Sequence, residues 1–365
     1  MMSEMTIRER MLAVYNNRTV DRPALGIYSR YLPRGAKELE VRAAGVGIIE
    51  YYPSVSMLAP PWHFYSGYFS EVKNLECSVK YFWDYGVRVE QRLYETPVGS
   101  IFQESSIDPG GIGSEHIRKH YITSVEDYKV MQYIVENTVF SVNHNHITHR
   151  MEDMSEAGVM LGRLDRSPYQ KCLIELAGPE QFLIDLFTEQ EVVEELLEAM
   201  EYKLNIAYEM ALDTPADVFW EPDNVTSDMT PPKAFEKYCL PFYQKNTMRL
   251  KETGKPVFIH VDGKMKALVD LLGRSGFDGI ESFSFPQIGG DITWEEVLAS
   301  MREMTIIPNF PANLCMAPEQ EVKGFFEELL HEYKQHNPLM LQVSEDIPIH
   351  EWQNVLPMLC DLLYK

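Results

Sequence analysis

From about residue 155 onward, short apolar β-prone runs alternate with longer amphipathic stretches, and this repetition is the strongest constraint on how the chain folds. The runs lie at 158–162, 217–220, 256–260, 279–283, 305–308 and 339–343. They lack apolar/polar alternation, as expected of strands buried on both faces. Between them, 189–208, 232–253 and 264–275 carry helical spacing, with Val192, Val193, Leu196, Leu197 and Met200 on one face of the first. Two further candidate strands at 24–28 and 45–50 bring the count to eight. Eight parallel strands with helices between them describe an α/β fold, a single (β/α)8 TIM-type barrel, and 365 residues suit one such domain. A doubly wound open sheet is the competing architecture. No G-x-G-x-x-G follows the first strand and no P-loop occurs, which weakens its nucleotide-binding version. Residues 60–150 break the repeat: 87–103 reads as a hairpin around Thr96-Pro97-Val98-Gly99, followed by a Gly-rich loop at 108–113. The expectation is an insertion carried by a single barrel domain over 1–365.

Composition narrows the partners. Thirty-three Lys+Arg against 55 Asp+Glu give a formal charge of -22. Such a field repels phosphate backbones and anionic headgroups, so neither nucleic acid nor membrane is an expected partner. Five scattered cysteines without a C-x-x-C pair, a charged N-terminal segment and no long apolar run predict a cytoplasmic protein.

In a barrel, chemistry is built at the carboxyl ends of the strands. The polar residues that end the runs are Arg163, Glu221, His260 with Asp262, Glu281, Asn309, and Ser344-Glu345-Asp346. Glu221, His260 and Asp262 form a candidate catalytic set and candidate ligands for a divalent, zinc-type ion, since imidazole and carboxylates suit such an ion. An equally physical reading makes His260 a strand-end residue bonded to a buried carboxylate, and Asp262 a helix N-cap before Gly263. Arg30, Arg163, Glu281 and Asn309 are candidate substrate contacts. Glu345 or Glu236 is a conceivable fourth ligand, although Glu236 sits in a segment that reads as an exposed helix face. His144, His146 and His149 crowd a polar tract with no further ligand in sight.

Several segments together resemble the uroporphyrinogen decarboxylase superfamily. They are Arg8-Glu9-Arg10-Met11-Leu12-Ala13-Val14, Val20-Asp21-Arg22-Pro23 and Arg30-Tyr31-Leu32-Pro33, then Thr230-Pro231-Pro232-Lys233-Ala234-Phe235 with Leu240-Pro241, 255–263 and 275–280. The resemblance implies the barrel independently of the strand count. It also implies one of two chemistries, cofactor-free decarboxylation of uroporphyrinogen or zinc-dependent methyl transfer involving corrinoid proteins. Of the decarboxylase pattern Arg-x-x-x-Arg-Tyr, only the second arginine is matched, by Arg30, and Gly26 stands in the first position. Of the methyltransferase ligand motif His-x-Cys-Gly, His260-Val261-Asp262-Gly263 keeps all but the cysteine. Glu221-Pro222 matches the family's acidic position, and no cysteine occurs near 342–345, where its later ligand falls.

The resemblance therefore implies a metal-dependent methyltransferase that takes a methyl group from a small methylated donor, methoxylated aromatics being one class, and passes it to a corrinoid protein. Glu221 and His260 would be ligands, with Asp262 a ligand or the carboxylate that orients the imidazole. The alternatives are a uroporphyrinogen decarboxylase-type carboxy-lyase with Arg30 on substrate carboxylates, and a non-catalytic tetrapyrrole or corrinoid binding protein.

Overall fold

The computed structural model describes residues 4–32, 35–54, 68–107, 116–333, 338–345 and 351–364. All eight expected strands are present and parallel: β1 Ala24–Tyr28, β2 Val46–Pro53, β3 Gly158–Arg163, β4 Val218–Glu221, β5 Val257–His260, β6 Gly279–Phe283, β7 Thr305–Pro308 and β8 Met340–Val343. Around the sheet the order is β7-β6-β5-β4-β3-β2-β1-β8. A parallel bridge between Asn309 and Gln342 joins β7 to β8, with Phe310 N–H donating to the Gln342 carbonyl at 2.7 Å, and closes the ring. The fold is a (β/α)8 barrel. No helix among the described residues is long and apolar enough to cross a membrane.

The barrel's amino-terminal end is closed by a helix from the start of the chain, α1 (Ile7–Tyr15). Thr6 caps it in a reciprocal capping box with Glu9. Its Met11, Val14 and Tyr15 join Ala24, Ile49, Val159, Leu161, Val218, Phe258, Ile307 and Met340 in one buried cluster. Two strand glycines make room for this plug. A Cβ on Gly47 would stand 2.3 Å from Met11 Sδ, and one on Gly26 would stand 2.8 Å from Ile49 Cδ1. Arg8 then clamps the helix to the strand entrances through a two-pronged contact with Asp217 (2.5 and 3.0 Å), while Asp217 also accepts from Met160 N–H at 2.9 Å.

The chain divides into two compact units, one of Met1–Tyr52, His144–Arg163 and Thr214–Lys365, the other of Pro53–Asn143 and Leu164–Asp213. The region expected as an insertion over 60–150 falls mostly in the second unit. That unit also takes in the long helix Gln190–Ala211, which the repeat pattern placed between barrel strands. Its antiparallel sheet runs Glu76–Asp84, Val87–Thr96, Gly99–Ile107 and His116–Lys119. The expected hairpin is there, turning at Pro97-Val98 between paired Thr96 and Gly99. The Gly-rich loop at 108–113, together with Pro33 and Asp346, lies outside the described residues. Within this unit Lys171 is buried and held by Asp165 at 2.7 Å and Glu175 at 2.9 Å.

Candidate active site at the barrel mouth

Register decides which strand-end side chains face the barrel interior, because parallel partners share a face and successive residues alternate. Trp220 pairs with Phe258 on one side and with Arg163 on the other, and His260 pairs with Glu281. Trp220 and Phe258 belong to the interior cluster. Arg163, His260 (two residues beyond Phe258) and Glu281 (two beyond Gly279) therefore face inward at the carboxyl end, alongside Tyr28 from β1 and Tyr51 from β2.

Glu281 is the centre of this layer. It is fully buried. Its Oε1 accepts from Trp220 Nε1 at 2.6 Å and pairs with His260 Nδ1, while Oε2 accepts from Tyr28 Oη at 2.8 Å and Gln342 Nε2 at 2.7 Å. Four side-chain partners thus converge on one buried carboxylate. Burial pushes the Tyr28 hydroxyl well above the ordinary phenol range, and the neighbouring Glu281 charge adds to the effect. Burial does the same to Tyr15 on the helical plug, again with Glu281 contributing. Expected as a substrate contact, Glu281 instead holds four protein side chains.

Beside this carboxylate stands a wall of rings. Tyr28 and Tyr51 meet edge to face at 5.2 Å, while Trp220 is tilted against Tyr51 at 5.2 Å and against Tyr28 at 5.9 Å; Tyr31 extends the wall at 6.0 Å from Tyr28. The His260 imidazole lies perpendicular to Trp220 at 5.8 Å. Tyr31 and Tyr51 are half-buried, whereas Tyr28 and Trp220 are buried.

The other expected site residues are placed unevenly. Glu221 follows inward-facing Trp220 and so takes the opposite face, where its charge is felt by buried Tyr243. Asp262 has its carboxylate bonded by Ser284 and its N–H donated to Asn224 at 2.9 Å. Asn309 is fully buried, bonding Glu345 at 3.2 Å and Ser344 Oγ at 2.8 Å, so it ties β7 to the end of β8. Glu236 is exposed on its helix. Arg30 is exposed, stacks 4.8 Å from the centre of the Tyr31 ring and reaches Tyr51 Oη at 3.4 Å. His144, His146 and His149 begin one helix, where His146 meets Tyr52 edge to face at 5.7 Å.

The zinc-type site expected from Glu221, His260 and Asp262 does not fit this arrangement. Among the described residues no three His, Cys, Asp or Glu side chains converge to hold an ion. One nitrogen of His260 is engaged by Glu281, Glu221 faces the other side of the strand, and Asp262 is bonded by a serine hydroxyl. The expectation took the first polar residue after each apolar run, and pleating puts Trp220 rather than Glu221 inside. Tyr28, Tyr51, Trp220 and Gln342 were overlooked because three end or overrun apolar runs as aromatic residues and the fourth sits inside one. Alternation counted from His260 was the available signal.

One local strain supports the layer. The register slips between Glu281 and Phe283, and Ser282 between them takes a left-handed φ of 65°. The bulge lets Ser282 Oγ meet Ser344 Oγ at 2.6 Å while Glu281 keeps its inward aim.

Residues 172–362, more than half of the chain, match the family described as uroporphyrinogen decarboxylase (URO-D). No curated protein matches. Among solved structures, a methyltransferase from Methanosarcina mazei superposes with a TM-score of 0.56 at 13% identity, over 99% of this chain and 100% of that one. That likeness supports the barrel fold. The GH18 chitinase ChiB of Flavobacterium johnsoniae reaches a TM-score of 0.36 at 10% identity over 62% of this chain and 82% of its own, too low to bear on the fold.

Proposed function

Because the chain belongs to the uroporphyrinogen decarboxylase family, we propose that it is an enzyme transferring a methyl group from a small methoxylated aromatic donor to a corrinoid carried by a partner protein, without a bound metal ion. The observation that carries this reading is the pairing of His260 with buried Glu281 beside the Tyr28–Tyr51–Trp220 wall. Aromatic side chains favour offset or edge contacts with another ring, so the wall suits an aromatic donor. Removing a methyl group from an ether leaves an oxyanion, which needs a proton or a Lewis acid. No ligand cluster for an ion occurs among the described residues, and in this reading the proton comes from His260. Glu281 holds the imidazole by Nδ1 and so fixes the ring that delivers the proton. The methyl–oxygen bond breaks as the methyl passes to the acceptor's cobalt(I), the oxygen takes the proton, and the donor leaves as a phenol. The imidazole is then reprotonated from water.

The decarboxylase alternative is disfavoured by packing as well as by sequence. Gly26, where that pattern carries its first arginine, is walled in by Ile49 and Met11, so no cation reaches a substrate from there.

The test uses purified protein, a methoxylated aromatic and reduced free cobalamin under anaerobic conditions, followed by the absorbance of methylcobalamin. Methylcobalamin formation that His260→Ala abolishes supports the proposal. Conversion of uroporphyrinogen to coproporphyrinogen by the same protein, with no methyl transfer, overturns it.

A further inference from the structure

The chain carries 22 more acidic than basic side chains, so a cation at its barrel mouth is readily matched by a carboxylate. Three described arginines follow that expectation: Arg8 meets Asp217, Arg10 meets Asp21 and Arg150 meets Glu50. Arg163 does not. It ends β3, is half-buried, and its Nε is shut off from solvent without a hydrogen-bond partner. No ion pair involving it occurs among the described residues. Its register partner is Trp220, so its side chain faces the interior, and in the sheet its strand lies between those of Tyr51 and Trp220. The unmatched guanidinium thus sits within the ring wall.

Leaving the buried Nε of a guanidinium without an acceptor is costly, and its planar fork matches a carboxylate in a two-bond contact. We propose that Arg163 binds a carboxylate on the donor, making the substrate class a methoxylated aromatic acid whose ring lies against Tyr51 and Trp220. This rests on the methyl-transfer reading for the methoxy group, but the carboxylate contact is measurable as binding alone. Glu281 does not compete for Arg163, because its oxygens already serve Trp220, His260, Tyr28 and Gln342.

The experiment compares 3-methoxybenzoate with 3-methoxybenzamide, which has nearly the same shape and no charge, by calorimetric titration of wild-type protein and of Arg163→Met. The acid is expected to bind wild type more tightly than the amide by on the order of 10- to 100-fold, and Arg163→Met, which keeps the aliphatic stem, is expected to erase the difference. Equal affinity for acid and amide in the wild type overturns the proposal without any variant having to fold. A preference for the acid that survives in Arg163→Met overturns it as well. If the preference is present and depends on Arg163 while reduced cobalamin gains no methyl group, the carboxylate site stands and the methyl-transfer reading fails.

Discussion

Trp220 donates its indole N–H to Glu281 at 2.6 Å, although the two residues are 61 positions apart in the chain. The bond fixes an aromatic face and a carboxylate in one layer, and the same carboxylate oxygen meets His260. Glu281→Gln removes the charge that stabilises the imidazolium while nearly keeping the shape. Turnover is expected to fall by roughly 10²- to 10⁴-fold, mostly in kcat and with a shifted pH profile, whereas circular dichroism should report a folded barrel. Wild-type kcat in this variant would remove Glu281 from the chemistry.

Glu221 gives the opposite expectation. Facing away from the interior beside Tyr243, it should tolerate Glu221→Gln with kcat near wild type and some loss of thermal stability. A loss as deep as that of His260→Ala would return Glu221 to the site.

Metal removal separates the two ways of stabilising the leaving oxygen. Dialysis against a strong chelator should leave turnover unchanged and elemental analysis should find no stoichiometric metal, because a three-ligand site is the usual minimum for a catalytic zinc. Loss of activity that added zinc restores would reinstate the Lewis-acid mechanism.

The N-terminal segment supplies a pH-dependent prediction. Arg10, with a side chain only 2% exposed, bonds Asp21 at 2.7 Å, and this hydrogen bond lowers the Asp21 carboxyl to about 2. A carboxyl depressed in the folded state adds stability that is fully present above its unfolded value near 4 and is lost as pH falls through about 2. Asp21→Asn strands a buried guanidinium and should cost about 2 to 3 kcal/mol near neutral pH. In denaturant titrations the gap between wild type and variant should narrow between about pH 4 and pH 2. A gap constant across that range would show that the ion pair contributes nothing.

The barrel was legible because its strands are buried on both faces, and each apolar run matched a strand to within a few residues. The second unit was less so, since nothing in the local pattern of 189–208 says that this helix leaves the barrel's own cluster. At the mouth, His260 was found from its position after Ile259, and Glu281 was found without its role. The hydrogen bonds of Glu281 come from Tyr28, Trp220 and Gln342, residues on three other strands whose meeting depends on register around the ring. Single-run reading could not supply that register, and it is also why Glu221 was taken for an interior residue.

Ring closure has a consequence for biosynthesis. β1 pairs with β2, its neighbour in the chain, and with β8, which begins at Met340. At about 5 to 20 residues per second, ribosomal synthesis delivers the last strand roughly 15 to 60 seconds after the first. Through that interval β1 and β2 present an unsatisfied backbone edge, and a lone strand pair has little stability of its own. The Glu281 layer, which draws Tyr28 from the first strand and Gln342 from the last, forms only after the ring has closed. Nascent chains halted before residue 340 should therefore engage holding chaperones and stay sensitive to protease, while release of the full chain should bring the barrel and its catalytic layer into being in a single late step.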